Sequence, residues 1–144
     1  EVKDDGSGMS NQELQKVLDP FYTTKKVRRV GLGLPMLADA AERTGGKLVL
    51  TSEKGHGTCL RVVFGLSHID RQPLGNIEGT MVTLIAGNPQ IDFIYRHQRD
   101  SKAFILDTKD IKKEIDDIPI NHVDILNFLK KNIFEGLKEI GAQA

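Results

Sequence analysis

The chain has 144 residues, of which 39% are hydrophobic and 28% charged, and this balance suits one compact soluble domain or two small ones. Its 20 basic and 20 acidic side chains cancel, so it lacks the basic excess of a nucleic-acid-binding protein. No apolar run reaches the roughly 20 residues that cross a bilayer, and a lone cysteine, Cys59, excludes an internal disulfide. We therefore expect a cytoplasmic protein with no membrane segment and no nucleic-acid partner.

Local patterns predict a mixture of helices and strands in the first half of the chain. Ser10 followed by Glu13 is typical of a capping box, which begins a short helix. Strands flanking the turn KGHG predict a hairpin. The expected elements are the end of a strand at Glu1–Asp4, a helix over 11–18, a helix from Gly31–Gly33 to about Arg43, and strands over Lys47–Glu53 and Thr58–Phe64.

The second half changes character after a polar connector, and its patterns predict a helix, a hairpin and two further helices. We expect the caps of the last two helices at Thr108 and Asn121. The final helix carries an apolar stripe, which predicts a core or docking face, or a surface that pairs with a second copy in a homodimer. The expected elements are Ile77–Ala86, Ile91–His97, Ala103–Asp107, Thr108–Asp116 and a helix after Asn121 with Leu126, Leu129, Ile133, Leu137 and Ile140 in its stripe.

Four short motifs follow one another in residues 1–66. They are Asp4–Met9 (DDGSGM), Asp19–Lys25 (DPFYTTK), Gly31–Leu34 (GLGL) and Gly55–Thr58 (GHGT). Each motif alone is more often a turn, a solvated loop or a tight helix entry than a binding site. Their order and spacing together resemble the DxGxG, FTTK, GLGL and GxGT boxes of the histidine-kinase-like ATPases, and the wording is most similar to that of sensor histidine kinases.

The resemblance implies a fold and a domain organisation. Residues 1–66 would be the C-terminal portion of an ATP-binding domain, a partial two-layer α/β sandwich, and residues 67–144 an appended helix–hairpin–two-helix module of unknown role. The whole chain is therefore predicted to be α+β.

The resemblance also implies which residues would hold the adenine base. Asp4 matches the carboxylate that accepts a hydrogen bond from the adenine amino group, and we expect it at the end of a buried strand. Thr58, preceded by Gly57, matches the threonine that assists adenine recognition, usually through a water molecule. Glycines allow close approach to the base. The remaining residues assigned to the base are Gly6, Gly8 and Met9.

A second group of residues would contact the phosphates. A helix that begins at GLGL presents backbone N–H groups and the positive end of its dipole to an anion. The lid loop adds a threonine and a cationic side chain. The residues assigned to this group are Thr24, Lys25, Gly31, Leu32, Gly33 and Leu34.

One family element has no counterpart here. The family's upstream N box supplies an asparagine that holds Mg²⁺ and an acidic residue that activates the phosphoacceptor. Since the chain begins with Glu1 and enters a motif at once, we expect a fragment of a longer protein, without metal ligands or catalytic residues of its own. Nucleotide affinity should be weak or absent, and kinase turnover absent.

A further stretch, Ser67–Leu74 (SHIDRQPL), partly resembles the phosphoacceptor box SHELRTPL of histidine kinases. An acidic residue does not follow His68 directly, and the box comes after the ATP-binding motifs rather than before them. A structural connector is therefore favoured over a phosphoacceptor role for His68.

Two functions from different classes remain open. The leading hypothesis is a signalling kinase that binds Mg-ATP in the intact protein and passes the γ-phosphate to a histidine, with a phosphoacceptor domain and a response-regulator receiver as partners. The alternative is an ATP-gated regulatory module that phosphorylates nothing. A chaperone or mismatch-repair ATPase is disfavoured by the kinase-like FYTTK lid wording.

Overall fold

The computed structural model of the protein describes residues 1–22 and 31–142. The chain divides into two compact units, Glu1–Gln72 and Pro73–Ala144. Each unit combines helices with antiparallel strands, which confirms the predicted α+β class. The division at Gln72 lies a few residues beyond the boundary expected from the motifs, and the separate roles assigned to residues 1–66 and 67–144 stay predictions.

The first unit is a small antiparallel sheet with two helices. Its elements are β1 (Val2–Asp4), α1 (Asn11–Lys16), α2 (Gly33–Arg43), β2 (Lys47–Glu53) and β3 (Gly57–Val63). The strand order is β1-β3-β2, so the predicted hairpin forms and β1 adds to the β3 side. All three residues of β1 are exposed, which corrects the expectation of a buried strand ending at Asp4.

Side-chain alternation gives this sheet two different faces. Leu48, Leu50, Leu60 and Val62 are half-buried and share the face that α1 and α2 cover, which we call the helix face. The opposite, outer face carries the exposed Val49, Arg61 and Val63 among others. Cys59 lies on the outer face and is half-buried.

Side-chain hydrogen bonds define the ends of both helices. The predicted capping box is present: Glu13 N–H donates to Ser10 Oγ (3.3 Å), and Ser10 N–H donates to Glu13 Oε2 (2.8 Å). This bond from the Ser10 backbone lowers the pKa of the Glu13 carboxyl. At the other end of the unit, buried Thr44 donates to Ala41 O (2.8 Å) and accepts from Gly65 N–H (3.0 Å). Thr44 thereby ties the end of α2 to the chain leaving β3.

The second unit has the predicted helix–hairpin–two-helix order. Its elements are α3 (Ile77–Gly87), β4 (Ile94–Arg99), β5 (Lys102–Asp107), α4 (Thr108–Glu114) and α5 (Val123–Glu139). The apolar stripe of α5 packs against α3 and β5, as expected of a core face. The buried core consists of Ile85, Leu106, Ile120, Leu129, Ile133, Leu137 and Ile140.

Three boundaries differ from their predicted positions. Pairing of the hairpin begins only at Ile94, because Thr108 Oγ1 accepts the N–H of Phe93 (2.7 Å) just before it. The predicted cap of α4, Thr108, makes this contact. The N-cap is Asp107, whose side chain accepts from Lys109 N–H (2.8 Å). The cap of α5 is His122 rather than Asn121.

A test of the second unit concerns Gly136, where α5 approaches β5. A Cβ at this buried position would collide with the ring of Phe104, so we expect Gly136→Ala to lower the free energy of unfolding by about 1–3 kcal/mol. Gly87→Ala, whose Cβ would meet nothing, is the matched control and should leave stability similar or higher. Urea denaturation measures both, and equal stability of the two variants would contradict this packing.

Candidate functional site

The loop after β1 is shaped by its own polar contacts. Gly6 N–H donates to Asp4 Oδ1 (2.9 Å), which folds the first turn of the loop back onto the carboxylate. Ser7 O accepts from Gly55 N–H (2.8 Å), so the loop is also tied to the β2–β3 turn. Asp4 is exposed, and its carboxylate can accept a hydrogen bond from an incoming ligand.

Gly8 is required where this loop crosses the end of β2. Its φ is +60°, and a Cβ there would collide with the carbonyl oxygen of Glu53. Gly57 is required for the same reason. Its φ is +91°, and a Cβ at this position would collide with Asp4 O. The two glycines therefore permit the DxGxG and GxGT segments to lie against each other.

The register of the sheet brings the two polar base-binding candidates together. Asp4 pairs with Thr58 across β1 and β3, and Thr58 pairs with Ser52 across β3 and β2. Directly paired residues place their side chains on the same face, so the three form one row at the end of the sheet. The row lies on the helix face, since Ser52 alternates with Leu50 and Leu48.

Ser52 was missed by the motif analysis, yet it connects both motifs. Its Oγ accepts the N–H of Met9 (2.8 Å), donates to Gly57 O (2.9 Å) and lies 3.0 Å from Thr58 Oγ1. No motif contains Ser52, but period-two alternation along β2 would have placed it beside Thr58. Met9 is half-buried at this contact, in a position to line a pocket.

The predicted phosphate-binding segment is described in part. Gly33 and Leu34 begin α2, and its N-cap residue Leu32 makes no side-chain capping bond. The first-turn N–H groups of Gly33 and Leu34 can therefore meet an anion. Gly31 N–H donates to Pro20 O (3.0 Å), and the assignment of Gly31 and Leu32 to the phosphates stays a prediction. Thr24 and Lys25 lie outside the described residues.

An open hollow of about 420 Å³ lies at this end of the same strands. Its lining includes the three residues of the row and Gly57, and also the outer-face residues Lys3, Thr51 and Cys59. We assign the candidate site to the row, because the row joins the two motifs on the face that α1 and α2 cover. Among residues 1–22 and 31–142, no three histidine, cysteine or acidic side chains converge as metal ligands.

His68 lies in the connector after β3 and not on a helix. Its Nδ1 accepts the N–H of Asp70 (3.2 Å) and is 3.7 Å from Asp70 Oδ2. Arg71 Nε donates to Leu66 O (2.9 Å), which closes the same turn. These are contacts of a compact turn, and the phosphoacceptor role of His68 stays a prediction.

Comparison with known proteins gives a family match for the first part of the chain. A model of the histidine kinase-, DNA gyrase B- and HSP90-like ATPase family matches residues 1–68. This match and the relatives below confirm the resemblance to histidine-kinase-like ATPase domains carried by the four motifs. None of the described helices is long and apolar enough to span a membrane.

Several curated relatives are named as sensor or sporulation kinases. The chain is 41% identical over 63 residues to the sensor kinase CckA of Brucella abortus, covering 43% of this chain and 7% of that protein. It is 40% identical over 65 residues to sporulation kinase C of Bacillus subtilis, covering 45% and 15% respectively. For the sensor histidine kinase YxdK of Bacillus subtilis the identity is 34% over 68 residues, covering 44% and 21%. No solved structure gives a significant match.

The close approach at Gly8 can be tested by comparison with Gly55. Both glycines have positive φ, but a Cβ at Gly55 would meet nothing, so Gly55→Ala should cost only about 1–2 kcal/mol of backbone strain. Gly8→Ala adds the collision with Glu53 O and should cost about 1–3 kcal/mol more. Urea unfolding of the two variants measures this difference, and equal destabilisation would contradict the contact.

Proposed function

We propose that the first unit binds ATP for a signalling histidine kinase, which in the intact protein transfers the γ-phosphate to a histidine. The observation that carries this proposal is the row of polar side chains formed by Asp4, Thr58 and Ser52, built by the same segments that contain the DxGxG and GxGT motifs. The curated relatives, which are named as sensor and sporulation kinases, support the kinase rather than a chaperone.

Within this proposal each described motif has one task. The Asp4 carboxylate accepts from the adenine amino group, and Thr58 completes the polar edge beside it. Gly6, Gly8 and Gly57 keep the backbone close enough for the base to enter without a clash, and Met9 provides apolar contact with its ring.

The phosphates would extend toward the start of α2. Uncapped N–H groups at Gly33 and Leu34 supply hydrogen bonds, and the dipole of α2, which spans Gly33–Arg43, favours negative charge at that end. The lid residues Thr24 and Lys25 are assigned to the same phosphates by the family resemblance. Catalysis of phosphoryl transfer depends mainly on positioning and charge, which these groups would share with residues of the partner domain.

A requirement for Mg²⁺ is implied by the family resemblance alone. Among the described residues, no three histidine, cysteine or acidic side chains lie together as metal ligands. The family's Mg²⁺ ligand is an asparagine of the N box, which none of the four motifs contains, so we expect the affinity of residues 1–144 for nucleotide to be weak. In the intact system the partners would be a phosphoacceptor histidine domain and a response-regulator receiver, and we place the kinase in the cytoplasm.

The assignment of Asp4 is tested by titrating Mg-ADP into the chain at millimolar concentrations. Asp4→Asn should weaken binding by roughly tenfold or more, because it removes a charge-assisted hydrogen bond. Asp5→Asn is the matched control, since it neutralises an adjacent exposed carboxylate, and it should leave the affinity nearly unchanged. Binding that survives Asp4→Asn, or that falls equally in both variants, would contradict the assignment.

A further inference from the structure

The hydroxyl of Ser52 has three close polar neighbours. Met9 N–H points to its oxygen at 2.8 Å, the carbonyl oxygen of Gly57 lies at 2.9 Å, and Thr58 Oγ1 lies at 3.0 Å. Ser52 is half-buried, and the three neighbours belong to two different motifs. The register of the β2–β3 hairpin pairs Ser52 with Thr58 and so brings its hydroxyl close to Gly57 and Thr58.

Proton counting decides the direction of the bond between the two hydroxyls. A serine hydroxyl has one proton to donate and two lone pairs to accept. The Gly57 carbonyl can only accept, so the contact at 2.9 Å takes the single Ser52 proton. Met9 N–H uses one lone pair of Ser52 Oγ. All three contacts are hydrogen bonds at once only if Thr58 donates its own proton to the remaining lone pair.

We propose that Ser52 is a positioning residue that makes Thr58 a hydrogen-bond acceptor toward the ligand, and thereby sets base specificity without touching the base. With its proton committed to Ser52, Thr58 has only lone pairs to offer. Its neighbour Asp4, when ionised, is also only an acceptor. The edge formed by Asp4 and Thr58 therefore presents acceptors alone. This inference rests on the proposed nucleotide site.

Such an edge selects an exocyclic amino group and rejects a carbonyl at the same place. The two N–H groups of the adenine amine can each meet an acceptor, whereas the carbonyl oxygen of hypoxanthine would face Asp4 and Thr58 with no proton between them. A bridging water gives the same preference. A water that donates to Thr58 has one proton left for a ring nitrogen, which accepts in adenine but carries hydrogen in hypoxanthine.

Loss of the Ser52 hydroxyl should therefore change the preference for ADP over IDP, and not only the affinity for nucleotide. In Ser52→Ala the Thr58 hydroxyl is free to rotate and donate to a carbonyl. We expect the ratio of the dissociation constants for IDP and ADP to fall by between about two- and tenfold, the range of one net hydrogen bond. Ser52→Thr keeps a hydroxyl and should retain the ratio. Thr51→Ala removes a hydroxyl on the outer face of the same strand and should not alter it.

The experiment is a pair of titrations of residues 1–144 with Mg-ADP and Mg-IDP, followed by NMR, for the unsubstituted chain and the three variants. If Ser52 only tethers the loop through Met9, Ser52→Ala would weaken both nucleotides equally. An unchanged ratio would therefore overturn the inference. A reduced ratio in Ser52→Ala that Ser52→Thr restores would support it.

A second measurement on the free chain needs no nucleotide. At low temperature the hydroxyl proton of Thr58 should exchange slowly with water and show a nuclear Overhauser effect to the Ser52 methylene, both lost in Ser52→Ala. A Thr58 proton that exchanges freely in the unsubstituted chain would overturn the inference. If both nucleotides fail to bind while this proton stays protected, the failure lies in nucleotide binding by residues 1–144 and not in the hydroxyl geometry, so the two failures are distinguishable.

Discussion

The antiparallel register of β3 with its two neighbours is the constraint on which the candidate site depends. It pairs Thr58 with Asp4 on one side and with Ser52 on the other, so three polar side chains from distant parts of the sequence share one face. A slip of one residue would turn Thr58 to the outer face and leave Asp4 without its neighbour. The glycines at 8 and 57 protect this register, because each occupies a place where a side chain would push two segments apart.

Side-chain hydrogen bonds stabilise the first unit as well as apolar packing. Ala41 is its one fully buried apolar residue among those described, and the apolar side chains of the helix face are only half-buried. Contacts such as Thr44 with Gly65 and Ser52 with Met9 join segments that are far apart in sequence. A ligand bound to this unit would add stability by mass action, whereas the second unit has its own cluster of buried isoleucines and leucines.

Features with a local cause could be predicted from the sequence. The capping box of Ser10 and Glu13, the β2–β3 hairpin and the stripe of α5 each follow from spacing within a few residues. The cap of α4 could not, because Thr108 accepts from Phe93, 15 residues away, and the neighbouring Asp107 caps the helix. Ser52 belongs to the same class, since its contact with Met9 spans 43 residues. The motifs indicate the candidate site, and long-range contacts determine its hydrogen-bond geometry.

Nucleotide is expected to bind on the helix face of the β1-β3-β2 sheet, beside Asp4 and Thr58. Amide chemical shifts of the ¹⁵N-labelled chain, followed during a titration with Mg-ADP, locate the bound nucleotide. We expect the largest shifts at Gly6, Met9 and Thr58 and at the start of α2, and weaker shifts at the outer-face residues Thr51 and Cys59. Shifts largest at Lys3, Thr51 and Cys59, with little change at Met9 and α2, would contradict binding on the helix face.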